Sequence, residues 1–384
     1  MDRVVARVSA GWRLAGLATA ALASTLLIAC APHSGGAWNT HSAAAYLDRR
    51  ESWWAGWSHA ARERHTFCVS CHTSIPYALA RPALTRVLDE SPDSVRVERQ
   101  LLADVTRRVR LWTTVRPYYP DQAVASRGTE AVLNAVVLVA ADSHHDRLSP
   151  DTQLALREMW ALQEGAGPSA GAWPWIEFNN EPWEAYDSAY YGAALAALAV
   201  GMAPGDYRDR PEIQTGLARL RNYLNRAFAS ESTLNRVDAL WASTYVPGLL
   251  DPANRAAVIR EVWSKQRADG GWCVAQVVGN WARHDGTREP MQSDGYATGL
   301  IALALERSGV PRTDPRLAHA LGWLITQQHP WSGRWNAASL NKRRNWLLDR
   351  AAPFMDDAAT GFAVLALTDR PPAERRLAQS GGAR

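Results

Sequence analysis

The chain has 384 residues, 47% of them hydrophobic, with four cysteines and a formal charge of +4. That length can bury a sizeable core, while so small a charge excludes a nucleic-acid footprint and so few cysteines exclude a disulfide framework. Its 18 tryptophans far exceed ordinary usage and point to a Trp-anchored repeat or an aromatic-lined cavity.

At the N-terminus Arg3, Arg7 and Arg13 precede an apolar run over 14–29, the charge-then-hydrophobe layout of an export signal. The run is too short and too alanine-rich for a membrane-spanning helix. Its end, Leu27-Ile28-Ala29-Cys30, resembles a bacterial lipoprotein cleavage box, in which the cysteine becomes the acylated first residue of the mature chain. The organisation that follows is a signal peptide over 1–29, lipidation at Cys30, a tether over 30–42, a helical body over 43–370 and a tail over 371–384. Removing 1–29 deletes three arginines and Asp2, leaving a formal charge of about +2. The expected location is the periplasmic side of a bacterial membrane, held there by the lipid.

A first amphipathic helix is expected over 44–65, and directly after it stands Cys68-Val69-Ser70-Cys71-His72. Two thiols and an imidazole at this spacing form an attachment site for c-type haem: the cysteines add across the vinyl groups and His72 becomes an iron ligand. Export is the condition for that reading, since such haem is attached outside the bacterial cytoplasm. A Cys68–Cys71 disulfide, a redox dithiol or a partial zinc site would use the same residues.

Beyond the motif, two kinds of segment alternate. Amphipathic, charged stretches over 94–115, 150–163, 210–229, 252–266 and 316–328 continue the series begun at 44–65 and read as outer helices. Between them lie small, aliphatic segments: 73–88, one from Glu130, one after Asp187, a divergent one from Ser232, one after Asp294 and one after Asp356. These are apolar on nearly every face and read as buried inner helices. In three of them an acid is followed five positions later by glycine: Asp187 and Gly192, Asp294 and Gly299, Asp356 and Gly361. Six outer and six inner helices in strict alternation predict an all-α chain folded as a closed ring of helical hairpins, an (α/α)6-like barrel.

Trp323 to Gln328 followed by Gly333 and Trp335 resembles the Gln-Trp repeat of squalene and oxidosqualene cyclases. Gln266 with Gly270 and Trp272 is similar, and Gln163 with Gly171 and Trp173 is a stretched copy. The resemblance covers roughly 120–370 and implies the α/α toroid shared by terpenoid cyclases and the β subunits of protein prenyltransferases. It implies fold and not chemistry. The Asp-x-Asp-Asp acid of class II cyclases is missing: Asp356 and Asp357 supply two of its acids, but Phe354 stands where the first belongs. The Asp-x-Cys zinc pair of the prenyltransferases is missing too, because Tyr296 follows Asp294 at that spacing.

In such a ring the inner-helix N-termini gather at one end, so Asp187, Asp294, Asp356 and Glu130 are expected around one cavity mouth, as N-caps or as acid and base groups. The haem motif immediately precedes the first inner helix and falls on the same rim. Chain closure sets the first inner helix beside the sixth, which makes Met355 the first choice for a second iron ligand, with Met291 and His65 as alternatives. The loop over 171–191 interleaves Trp173, Trp175, Phe178, Trp183, Tyr186 and Tyr190 with Glu177, Glu181, Glu184 and Asp187, a composition suited to a sugar or a polycyclic ligand or to a buried repeat turn. A second loop carries Trp281, Arg283, His284, Asp285, Arg288 and Glu289, with His284 expected at the surface. Lys342, Arg343 and Arg344 suit haem propionates, an anionic substrate or a solvated turn.

Three functions fit these residues. The first is electron transfer or haem-assisted oxidation of a small hydrophobic or aromatic molecule in a Trp-lined cavity, with a redox partner protein. The second is a polysaccharide hydrolase or lyase using Glu181, Glu184, Asp187, Asp294 and Asp356. The third is a non-catalytic lipoprotein that binds a terpenoid or hopanoid.

Overall fold

A computed structural model describes residues 38–91 and 95–369. The chain is mostly helical. Its outer series comprises α1 (Thr40–Ala55), α3 (Arg96–Arg110), α5 (Pro150–Ala161), α7 (Pro211–Ala227), α9 (Pro252–Ser264) and α12 (Pro315–Gln327). The inner series comprises α2 (Ser74–Val87), α4 (Ala123–Asp142), α6 (Ser188–Met202), α8 (Thr233–Ser243), α11 (Gly295–Arg307) and α13 (Phe354–Thr368), and a short α10 (Val274–Val278) precedes α11.

Four of the six outer helices begin where proline presets the first turn. Pro150, Pro211, Pro252 and Pro315 each open one, and the Ser149 and Asp314 side chains accept from the backbone N–H groups of Thr152 and Arg316. The inner helices are held by burial instead. In α6 twelve residues are buried, most of them alanine, leucine and tyrosine, and no polar face remains. Glycine lets inner helices approach closely: a Cβ at Gly299 would lie 2.6 Å from the Ala363 backbone nitrogen of α13, and one at Gly361 would lie 2.5 Å from Pro76 of α2.

Contacts between inner helices run in cyclic order. α2 packs on α4, α4 on α6, α6 on α8, α8 on α11, α11 on α13, and α13 returns to α2. α1 covers the last junction, packing on both α2 and α13.

Three repeats of one joint tie the outer helices together. Trp173, Trp272 and Trp335 are fully buried, and their indole N–H groups donate to Met159, Val262 and Leu324 carbonyls near the end of the preceding outer helix, at 2.6, 2.7 and 2.7 Å. The paired glutamines bridge the loop to the next outer helix. Gln163 Nε2 donates to the carbonyls of Gly171 and Gly216, Gln266 Nε2 to those of Gly270 and Arg316, and Gln328 Nε2 to those of Gly333 and Asn39. The last of these joins α12 to the residue that caps α1.

Several boundaries differ from those expected. The first outer helix ends at Ala55, and the chain then forms a small antiparallel hairpin of β1 (Ala61–Arg62) and β2 (Thr66–Phe67). The tether expected over 30–42 is shorter at its far end, because Asn39 caps a helix that begins at Thr40. α4 starts at Ala123, so Glu130 lies inside the helix and not at its start. Asp356 likewise lies inside α13, two residues past its first residue. The signal peptide, Cys30 and the tail over 371–384 lie outside the described residues.

Truncating Trp272 or Trp335 to alanine removes a large buried ring together with a buried hydrogen bond. Each substitution is expected to lower stability by about 3–5 kcal/mol in urea denaturation followed by far-UV circular dichroism. A loss below about 1 kcal/mol would mean that these rings do not anchor the repeat.

Candidate functional site

The Cys-x-x-Cys-His segment is fixed from both sides. The Trp54 indole of α1 donates to the Cys68 carbonyl at 2.7 Å, and the Cys68 amide donates to the Ala60 carbonyl at 2.8 Å. Ser70 Oγ accepts from the backbone N–H groups of Thr73 and Ser74 and so satisfies orphan donors at the start of α2. Cys68 and Cys71 are buried free thiols. Burial pushes the Cys68 thiol up to about 12 and raises Cys71 well above the usual range, so both are protonated at neutral pH.

His72 sits at the end of a buried relay. Its Nδ1 lies 2.7 Å from Thr73 Oγ1, and that hydroxyl donates to Asp357 Oδ2 at 2.8 Å. A hydroxyl has one proton. With it committed to the carboxylate, the proton between His72 and Thr73 belongs to Nδ1, and Nε2 keeps its lone pair. Burial, followed by the positive charges of Arg50 and Arg344, holds the imidazole well below its usual range and therefore neutral. The ring is stacked on Phe354 at 3.7 Å between centroids and meets the edge of Trp54 at 4.9 Å.

Asp357 is the hub of this arrangement. It also accepts from Tyr46 Oη at 2.7 Å and from Arg50 Nε at 2.8 Å, both on α1. Asp48 of the same helix receives Tyr77 Oη at 2.9 Å and Arg81 Nε at 3.0 Å from α2. The motif therefore lies at the junction of α1, α2 and α13.

Two cavities share His72. One, of about 20 Å³, is lined by Trp54, Cys68, Cys71, His72, Tyr118, Tyr119 and Glu184 among others. The second, of about 140 Å³, is lined by His72, Glu181, Trp183, Glu184, Arg344, Phe354 and Met355 among others. Met355 and Arg344 thus stand in the same cavity as the imidazole. The two alternative ligands lie elsewhere: His65 and Met291 are exposed. Among the described residues, no group of three or more His, Cys, Asp or Glu side chains is placed to hold a metal ion.

Each candidate acid has its own partners. Asp294 accepts from the backbone N–H groups of Ala297, at 2.9 Å, and Val274, and is the true N-cap of α11; burial pushes it up to about 7. Asp356 accepts from the Ala337 N–H at 2.8 Å and pairs with Arg334 at 3.2 Å; burial pushes it too to about 7. Asp187 occupies the N-cap position of α6 without capping it, because its backbone is helical there, and it accepts instead from Asn235 Nδ2 at 3.1 Å. Glu130 is buried and paired with Arg108. Glu181 and Glu184 alone line the His72 cavity, with burial raising them to about 8 and about 7. His284 is exposed, and Arg283 is buried against the Ser339 carbonyl.

Some buried groups had no sequence signal. Asp357 stood only as half of an incomplete acid motif, and its partners are remote in sequence. Glu51 is buried against Ser74 Oγ and raised to about 8, and Asp238 is buried on α8 and held well above the carboxylate range. No protein-family model matches the chain, and no curated protein matches it.

Glu181 supplies a pH test. Burial and the neighbouring carboxylates of Asp187, Glu231 and Glu289 favour its protonated form in the folded chain. Stability from a carboxyl raised in this way is complete below its ordinary value and fades as pH climbs through the folded one, here about 8. Glu181→Gln should therefore flatten the decline in the urea midpoint between about pH 5 and pH 8. Parallel declines in the two proteins would show that Glu181 titrates normally.

Proposed function

We propose that this chain is an exported, lipid-anchored α/α toroid of the kind its Gln-Trp repeats resemble, carrying one c-type haem on Cys68, Cys71 and His72. Its work is electron transfer, or haem-assisted oxidation of a small hydrophobic or aromatic molecule. The cyclic contacts of the six inner helices support the toroid. The observation that carries the haem reading is the placement of His72: the Thr73–Asp357 relay engages its Nδ1, which leaves Nε2 as the nitrogen that would bind iron.

The residues present suit the group. Both thiols and the imidazole border one cavity, and Trp54, Tyr118 and Tyr119 supply the aromatic part of its wall. Cys68 and Cys71 would hold haem through thioether bonds, His72 would bind the iron through Nε2, and Met355, which lines the same cavity as His72, would be the second candidate iron ligand. Bound haem would supply a one-electron couple.

The rest is the protein's part. Thr73 and Asp357 hold the Nδ1 proton and the ring's orientation. Phe354 and Trp54 fix the ring by stacking and edge contact. Arg344 brings positive charge to the second cavity, where it would favour propionates or an anionic ligand. Glu181 and Glu184 are the two acids available to exchange protons with a molecule bound there. The hydrolase alternative gains little from the geometry, since Asp294 and Asp356 are already engaged by backbone donors.

Protein produced with functional c-type maturation machinery should gain the mass of one haem and show a c-type α-band on reduction. The Cys68→Ala, Cys71→Ala double variant should lose the covalent haem. An unmodified mass in the parent protein under the same conditions would refute the reading.

A further inference from the structure

Two loops far from the hydrophobic core expose large apolar side chains side by side. Trp331 is 89% exposed, Trp346 51%, Leu347 94% and Leu348 83%. Arg334 links them, with its guanidinium 4.2 Å from the Trp346 ring and its Nη1 donating to Ser332 Oγ at 3.1 Å. The projection is built and not frayed. Asn345 Oδ1 accepts from the Leu347 N–H at 2.9 Å, the Asn345 carbonyl accepts from Asp349 N–H at 2.8 Å, and Arg344 pairs with Asp349 at 2.7 Å across the base of the turn. A hydrogen-bonded turn that points two leucines and a tryptophan at solvent needs a partner to cover them.

The flanking charge says which. Lys342, Arg343, Arg344 and Arg350 bracket the apolar triplet and outnumber its one acid, Asp349. Tryptophan and leucine inside a ring of basic side chains match the interface of an anionic bilayer, with rings and leucines at the acyl boundary and cations at the phosphates. The chain's entry into the helical body lies on the same side. Gln328 holds Asn39 through two hydrogen bonds, Arg49 donates to the Ser332 carbonyl, and Gly333 lies against Ser42. Trp38 lies eight positions beyond Cys30. Even fully extended that stretch spans about 28 Å, so a lipid on Cys30 would keep this face near the membrane.

We propose that Trp331, Trp346, Leu347 and Leu348, with Lys342, Arg343 and Arg350, form a docking surface for the headgroup and acyl boundary of an anionic lipid bilayer. The docking is peripheral. Among the described residues one helical stretch, Pro120–Asp142, is long and apolar enough to cross a membrane, and 78% of its apolar window is buried inside the protein. The docking loop is also a wall of the second cavity, through Arg344, Ala352, Phe354 and Met355. Contact with lipid would therefore hold that wall against the bilayer, a short route for a hydrophobic molecule.

Hydrogen exchange of the full chain, read by mass spectrometry with and without vesicles, tests this independently of any haem. With phosphatidylcholine vesicles containing phosphatidylglycerol, amides of 331–333 and 343–349 are expected to exchange more slowly by about tenfold. Trp346→Ser with Leu347→Ser and Leu348→Ser should abolish the protection while leaving the circular dichroism spectrum unchanged. Lys342→Glu with Arg343→Glu should weaken it by about tenfold in vesicle titration. Unchanged exchange in both loops would overturn the proposal. So would protection that appears without lipid as protein concentration rises, which would assign the face to a second copy of the chain.

Discussion

A single buried carboxylate, Asp357, ties the first and last helices of the described residues together. Such a group is costly to remove from water unless donors surround it, and here three do: Tyr46 and Arg50 from α1 and Thr73 from the start of α2. Asp357 itself belongs to α13, so the cluster joins the first hairpin to the last inner helix. Removing any one donor would leave charge or hydroxyl unpaired at the point where α1 and α2 meet α13. The same carboxylate fixes the proton on His72 through Thr73. Closure of the helical array and presentation of the imidazole are therefore one interaction.

The remainder of the inner array follows a different rule. Small residues and glycine let inner helices approach until backbones nearly touch, which leaves little room for polar side chains away from the helix ends. Acids at those ends meet backbone N–H groups, as Asp294 and Asp356 do, and burial holds both near neutral pKa values. Their perturbed titration is thus a by-product of joining loops to helices. Glu181 and Glu184 differ, because they are raised by burial while lining a cavity that His72 also borders. The chemistry open to the protein concentrates on this one side, under the loops that precede α6 and α13.

Much of this was readable in the sequence, for identifiable reasons. Inner helices announce themselves because uniform burial removes polar residues from every face, and outer helices because apolar residues recur at helical spacing among charged ones. The Cys-x-x-Cys-His spacing and the Gln-Trp pairs are local patterns and survive without knowledge of the fold. The hub around Asp357 was not legible, since Tyr46 and Thr73 lie 311 and 284 residues away from it. The hairpin at 61–67 was missed because two-residue strands carry no periodicity. Asp356 was expected to cap a helix that in fact starts earlier, at Phe354. Trp346-Leu347-Leu348 read as nothing in particular, because an apolar triplet looks the same whether buried or exposed. Only its turn, built on Asn345 and Asp349, sends it outward.

The account depends most on the state of His72 before any cofactor is attached. Nitrogen-15 nuclear magnetic resonance of histidine-labelled, haem-free protein at neutral pH reads that state directly. It should find the His72 ring neutral, with the proton on Nδ1 and Nε2 bare, and Thr73→Val should release this preference. A ring protonated on Nε2, or on both nitrogens, would contradict the relay from Asp357 and with it the argument that this imidazole is set to bind iron.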